Sequence, residues 1–221
     1  VHLSTADGLG EIRAARARGQ QVLVESCPQY LTLTEEVYDK PGFEGAKYVC
    51  SPPLRPKADQ DALWQALENG EIDILSTDHC SFNFKGQKEM GQDNFTKIPN
   101  GMPGVEHRPA VVYSLAVATG RIGVTDMARL LAENPAKMFG VWGRKGSLDV
   151  GKDADVVIYD PKADFTISAA NQHHNCDYTP FEGFRTAGSV RDVFLRGIHA
   201  VQGGALRRTG CGQYIARKKM R

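Results

Sequence analysis

The sequence predicts an α/β fold: part of a (β/α)8-type barrel followed by a small β-rich module. Three observations carry the prediction. From Val1 to Cys80, short apolar runs alternate with helix-like segments. Those runs are continuously apolar rather than alternating, as in strands covered on both faces. No glycine-rich phosphate loop follows any of them, which favours a barrel over a doubly wound dinucleotide sheet. Periodicity alone leaves that choice open.

The elements follow in order. "VHL" reads as a strand end, and "STADGLGEIRAARARG" as a loop and helix, with Ile12, Ala15 and Arg16 at helical spacing and Gly19 as the stop. "QVLVESC" is a buried strand. "KADQDALWQALENG" is a helix with Ala62, Leu63, Ala66 and Leu67 on one face and Gly70 at its end. "IDILSTD" is the next strand. A polar, glycine-containing stretch after it, Phe82 to Gly104, has the length of a binding loop or lid. Helices return with "VEHRPAVVYSLAVATG" and "TDMARLLAENPAKMFG". The second is expected to start at a Thr125 cap, to break at Pro135 so that Asn134 begins a new helix, and to end at Gly140. From Gly146 the pattern becomes strand and turn through "GSLDVGKDADVVIYDP", "FTIS", "VRDVFLRG" and "IHAVQGG". Domain boundaries are expected at 1–143 for barrel strands and helices and 144–221 for the β-rich module and tail.

Bulk properties exclude several functions. The 221 residues carry 41% hydrophobic and 24% charged residues and a net charge of +1, an ordinary globular composition without the basic field of a nucleic-acid binder. The basic tail "ARKKMR" reads as a solvated or subunit-contacting end. The longest apolar stretch, Ala110 to Ala118, falls well short of the ~20 residues a bilayer crossing needs. Five cysteines, an odd number without a CxxC pair, argue for a reducing cytoplasm over a disulfide framework. The opening "VHLST", without an initiator Met, reads as the end of a strand, so a fragment of a longer protein is expected.

The chemically richest stretch is "STDHCSF", where an apolar run ends in Asp78, His79 and Cys80. A Cys–His nucleophile pair is disfavoured, because successive side chains on an extended segment point apart. Asp78 could share a face with Cys80, but a carboxylate raises a thiol's pKa and opposes thiolate chemistry. A metal site is the other reading. Asp78 at a strand's C-terminal rim and His2 at the end of the first strand could converge, and imidazole with carboxylate suits zinc. The alternative is a strand-end histidine and an aspartate capping a helix. His173 and His174 are adjacent, point apart and read as a polar loop. "CSPPLR" around Ser51 and "KIPNGMPG" around Asn100 are loops stiffened by proline, suited either to presenting backbone groups to a ligand or to plain connection.

Eight segments, "VHLS", "ESCPQYL", "KYVCSPPLR", "STDHCSF", "NFTKIPNGMPGVEHR", "ENPAKMFG", "GSLDVGKDADVVIYDP" and "HHNCDYTPFEGF", together resemble dihydropyrimidinases and D-hydantoinases, cyclic amidases of the amidohydrolase superfamily. The resemblance covers essentially the whole chain, and "TKIPNG" with "EGF" marks this branch. It implies the C-terminal half of a metal-dependent hydrolase: the last three strands of the (β/α)8 barrel, then part of a small β-sandwich. It further implies two zinc ions sharing a bridging hydroxide, His2 as a metal ligand, and Asp78 as metal ligand and catalytic proton shuttle. Ser51 and Asn100 would bind the substrate's amide–imide edge through their backbones. The His-x-His pair, a further histidine and the carboxylated lysine that bridges the zinc ions would lie outside this chain, so the chain alone is expected to be inactive. The implied reaction is hydrolysis of 5,6-dihydropyrimidines or 5-substituted hydantoins to N-carbamoyl amino acids by a homo-oligomer, a tetramer. Alternatives are a non-catalytic assembly homologue, or a dihydroorotase- or allantoinase-type amidase.

Overall fold

A computed structural model describes residues 1–219. Residues 220 and 221, the end of the basic tail, lie outside the described residues. The chain forms two compact units. The first comprises Val1–Arg108 with Thr166–Phe184, and the second Pro109–Phe165 with the chain from Arg185 onward.

The first unit is built on parallel strands. β1 (Glu25–Ser26) pairs with β2 (Ile74–Leu75) in the register Glu25↔Ile74 and Ser26↔Leu75. Flanking bonds extend the ladder: the Asp73 and Ile74 N–H groups donate to Val24 O, and Ser76 N–H donates to Ser26 O. Val1–Leu3 is not a formal strand, yet it runs alongside, with Leu3 N–H on Glu25 O and the Ser26 hydroxyl on Leu3 O. Val24, Ile72, Ile74 and Leu75 are buried, as continuous apolar strands require.

The helices cover these strands. α1 (Ala6–Ala17) starts at Thr5, whose hydroxyl accepts from Gly8 N–H, and stops at left-handed Gly19. Its inner face is less apolar than the sequence suggested. Leu9 is buried, but the Arg16 guanidinium reaches Val22 O, Glu71 O and the Asp73 carboxylate, tying the helix to both strand entries. A short helix, α2 (Pro28–Thr32), follows β1. α3 (Lys57–Glu68) buries Leu63, Trp64, Ala66 and Leu67, and the Trp64 indole N–H donates to Leu31 O of α2. The segment after β2 is ordered through two 3-10 turns, Lys88–Gly91 and Phe95–Lys97. Residues 166–184 pack with this unit, burying Ile167, Cys176, Tyr178 and Phe181.

The second unit holds a helical part and a sheet. α4 (Arg108–Val112) widens into a π-turn at Tyr113–Val117, where Ala118 N–H donates to Tyr113 O. α5 (Val124–Ala128) starts at Gly123 rather than Thr125. The Asp126 carboxylate, in the first turn, reaches back to accept Gly123 N–H. Pro135 does not break the helix as expected. The chain stays helical through a π-turn at Arg129–Glu133 into α6 (Asn134–Met138), which ends at left-handed Gly140. The widened turn absorbs the missing proline N–H and the clash of its ring with the preceding turn.

The sheet is antiparallel in the order β3 (Val156–Asp160), β4 (Ser189–Leu195), β5 (Ile198–Gln202), β6 (Ala205–Leu206). Arg196-Gly197 and Gly203-Gly204 form two-residue hairpin turns with positive φ at both positions, as a type I′ turn needs. No strand forms in "GSLDV", and "FTIS" is bonded antiparallel, with Ile167 N–H on Phe184 O and Thr186 N–H on Phe165 O, without being a formal strand. The first is a turn, and Ile167 of the second is buried in the first unit. No helix of the described residues is long and apolar enough to cross a membrane. All five cysteines are unbridged.

Candidate active site at the ends of the parallel strands

The last ladder bond of β2 is Ser76 N–H to Ser26 O, and two residues later the chain turns sharply at Asp78 with φ +46°. His2, at the end of the neighbouring segment, has φ +56°. Among the described residues, only His2, Asp78 and Arg196 adopt positive φ without being glycine. Arg196 belongs to a hairpin turn. At the other two the strained backbone, which costs roughly 1–3 kcal/mol each, aims a side chain beyond a strand end. His2 Nε2 lies 3.9 Å from Asp78 Oδ1, so two strand ends converge. Both side chains are partly accessible, 28% for His2 and 34% for Asp78.

Glu25 sets the orientation of His2. Its Oε2 accepts the His2 backbone N–H at 2.5 Å and lies 3.0 Å from Nδ1. A proton on Nδ1 facing Glu25 would leave the Nε2 lone pair toward Asp78, the arrangement by which a carboxylate fixes a metal-ligating histidine. Glu25 is buried, and its other oxygen accepts from the Ser76 hydroxyl and the Cys27 thiol. His2, Glu25 and Cys27 are close enough to group around an ion. Burial and then the Glu25 charge push the Cys27 thiol far up, and its sulfur is already engaged with Glu25 and the Ser76 hydroxyl. The donors that fit a metal are therefore His2 Nε2 and the Asp78 carboxylate. Their separation suits ligands of one ion or of adjacent ions in a two-metal centre.

Asp78, His79 and Cys80 go three different ways. Asp78 meets His2. His79 Nδ1 accepts the backbone N–H of Gly104. Cys80 packs on Gly101, where an added Cβ would sit 2.4 Å from the sulfur; with φ +120° there, no other residue fits. Burial first, and the Asp78 charge second, raise the Cys80 thiol, which agrees with its exclusion as a nucleophile.

The two proline-stiffened loops come together beside this segment. Cys80 N–H donates to Met102 O, and Gly101 N–H donates to Val49 O at 2.9 Å. The Ser51 loop is pinned by Tyr30, whose hydroxyl donates to Pro52 O, and by Tyr38, whose hydroxyl accepts from Leu54 N–H. Ser51 and Asn100 are both exposed. Among the described residues, neither uses its backbone N–H or C=O in a hydrogen bond within the protein.

A second histidine cluster was not foreseen. The His174 ring packs between those of His79, tilted at a centroid distance of 4.9 Å, and His107, edge-on at 5.0 Å. His173 is exposed on Glu106, as a polar loop suggests, whereas the His174 side chain is only 6% exposed and its Nε2 accepts Glu106 N–H. Glu106, His107 and His174 are close enough to bind an ion. Part of this donor set is already hydrogen-bonded within the protein, though: His174 Nε2 accepts Glu106 N–H, the Glu106 carboxylate accepts His173 N–H, and His107 Nδ1 lies 3.3 Å from the Thr179 hydroxyl; beside them His79 Nδ1 accepts Gly104 N–H. The cluster therefore ties residues 104–106 to the 166–184 segment.

Burial pushes His107 down to about 4. Between its ordinary value of 6.5 and about 4, the unfolded chain takes up a proton that the folded chain refuses. Stability from this group is therefore present above pH 6.5 and falls as pH drops through that window, by about 3 kcal/mol at most. Urea midpoints at pH 7 and pH 4.5 check this. His107→Asn is expected to flatten the pH dependence, and an unchanged slope would contradict it.

The chain matches the family model described as "Amidohydrolase family" over residues 2–199. It is 46% identical over 220 residues to a D-hydantoinase of Geobacillus stearothermophilus, covering 99% of this chain and 47% of that protein. It is 48% identical over 197 residues to a D-hydantoinase of Streptomyces coelicolor, covering 89% and 42%. Among solved structures, the D-hydantoinase from a Bacillus sp. AR9 superposes with a TM-score of 0.97 at 46% identity, covering 100% of this chain and 48% of that one. The chain thus spans about half the length of the curated relatives it matches.

Proposed function

The chain belongs to the amidohydrolase family, with the fold of the C-terminal part of its (β/α)8 barrel followed by part of the small β-sandwich, and from that premise we propose that the whole protein is a cyclic amidase. It hydrolyses 5,6-dihydropyrimidines or 5-substituted hydantoins to N-carbamoyl amino acids. The observation that carries this reading is the convergence of His2 and Asp78 from two strand ends, both on strained backbone.

Two zinc ions held there, with ligands and a carboxylated lysine from outside this chain, would supply Lewis acidity toward the ring carbonyl and toward water. His2 offers Nε2 to the metal, and Glu25 keeps the ring from rotating. Asp78 is a ligand and also the base. It accepts the proton of the attacking water and passes it to the ring nitrogen as the C–N bond breaks. The free N–H and C=O groups of Ser51 and Asn100 pair with the alternating donors and acceptors of the amide–imide edge. A ring with that edge is recognised without any charged side chain, leaving its C5 substituent to other contacts. The partner is thus a small cyclic amide, not nucleic acid or membrane. We also propose a cytoplasmic homotetramer, with residues 1–143 in the barrel and 144–221 in the β-rich module.

The test is hydrolysis of dihydrouracil and of 5-substituted hydantoins by the whole protein, with zinc content measured alongside. Turnover that is lost on chelation and restored by zinc is expected, while these 221 residues alone should be inactive. A whole protein loaded with zinc but inert toward both ring classes would overturn the reading.

A further inference from the structure

Lys88 is fully buried, at 0% exposure. Its Nζ donates to Val49 O at 3.0 Å and to Pro99 O at 2.9 Å. Among the described residues, no carboxylate pairs with it. Burying an ammonium group without a counter-charge costs several kcal/mol, and a methionine of similar volume would fill the space without that penalty. Packing alone therefore does not account for a lysine here.

The two acceptors suggest a reason. Val49 lies two residues before Ser51, and Pro99 immediately precedes Asn100. One side chain thus bridges the two loops that carry the proposed ring-binding backbone groups. Val49 O also receives Gly101 N–H, so both its lone pairs serve this junction. Lys88 is itself fixed: its N–H donates to Asn83 O, and its 3-10 turn packs so closely that a Cβ on Gly91 would meet Ile98 at 2.1 Å.

We propose that Lys88 is a positioning residue for ring recognition, its ammonium stapling the Val49 and Pro99 carbonyls so that the Ser51 and Asn100 backbones keep a fixed spacing. The inference rests on the ring-binding reading of those two residues. Burial brings Lys88 down to about 8, yet even the neutral amine retains two N–H donors for two carbonyls. The staple therefore holds on either side of that pH.

The experiment uses Lys88→Met in the whole protein, with dihydrouracil as substrate. KM is expected to rise about tenfold or more, because groups misplaced by about 1 Å lose much of their binding, with kcat within about threefold and zinc content unchanged. Amide exchange should accelerate in segments 47–51 and 98–102 and not elsewhere. Unchanged exchange there overturns the staple. Loosened loops with unchanged KM overturn the ring-binding roles of Ser51 and Asn100, and the positioning role with them. A lowered thermal midpoint with unchanged KM marks Lys88 as merely structural and also overturns the proposal. Should Lys88→Met not accumulate folded, Lys88→Gln, which keeps two N–H donors on a shorter stem, is read the same way, with a smaller KM rise expected.

Discussion

Asp78→Asn in the whole protein is expected to lower kcat by about 10³-fold or more, the scale of removing a positioned general base that is also a metal ligand. Asparagine keeps the size and polarity of the side chain and tolerates φ +46° as aspartate does. The loss would therefore report proton transfer and ligation, not a collapsed turn. Asp78→Gly makes the complementary case. Glycine adopts positive φ without steric cost, so this variant should be as inactive yet more stable by about 1 kcal/mol. Inactivity with a raised thermal midpoint would identify Asp78 as a site where strain is kept for function. Near-normal kcat in either variant would sink the proposed role. So would a stability loss in Asp78→Gly, because it would mean the aspartate was there for the fold.

Local chemistry made much of the fold readable, and long-range packing hid the rest. Gly19, Gly70 and Gly140 end helices because each sits where positive φ is needed, a property written in one residue. Pairing of Glu25 with Ile74 follows from two apolar runs flanked by helices. Thr125 looked like a cap, but the helix starts two residues earlier, at Gly123, whose N–H the Asp126 carboxylate accepts. Asp78 could be singled out from its place at a strand end, but its approach to His2 depends on contacts spanning 76 residues. Lys88 and His174 were illegible for the same reason. Each sits in a polar stretch that reads as solvated. Each is buried by partners far along the chain, Val49 for the lysine and Glu106 for the histidine. Ser51 and Asn100 are the instructive middle case. Proline spacing marked their loops as rigid, while their joining through Gly101 and Val49 required the folded chain.

His2 and Glu25 should separate metal holding from metal-ligand orientation. His2→Asn, which tolerates the left-handed backbone, removes Nε2, and the whole protein is expected to lose about one zinc ion per chain and about 10³-fold in kcat/KM. Glu25→Gln is subtler. The amide can still accept from the His2 backbone N–H and from Nδ1, but it no longer carries the charge that makes Nε2 the more basic nitrogen. Loss of such a partner typically costs about 10–100-fold in metal affinity or activity. Zinc should therefore be retained at high metal concentration and lost on dilution or with a weak chelator, while kcat measured at saturating zinc recovers most of its value. The Cys27 thiol and Ser76 hydroxyl would face the amide in place of the carboxylate. With the amide oxygen turned to His2, its NH2 faces them, and the Ser76 hydroxyl can rotate to accept from it, so the fold should survive the change. If His2→Asn kept full zinc and activity, the metal would have to be held without the strand end that His2 occupies. If Glu25→Gln behaved as His2→Asn does even at saturating zinc, Glu25 would be acting on the reaction itself and not through the orientation of the imidazole.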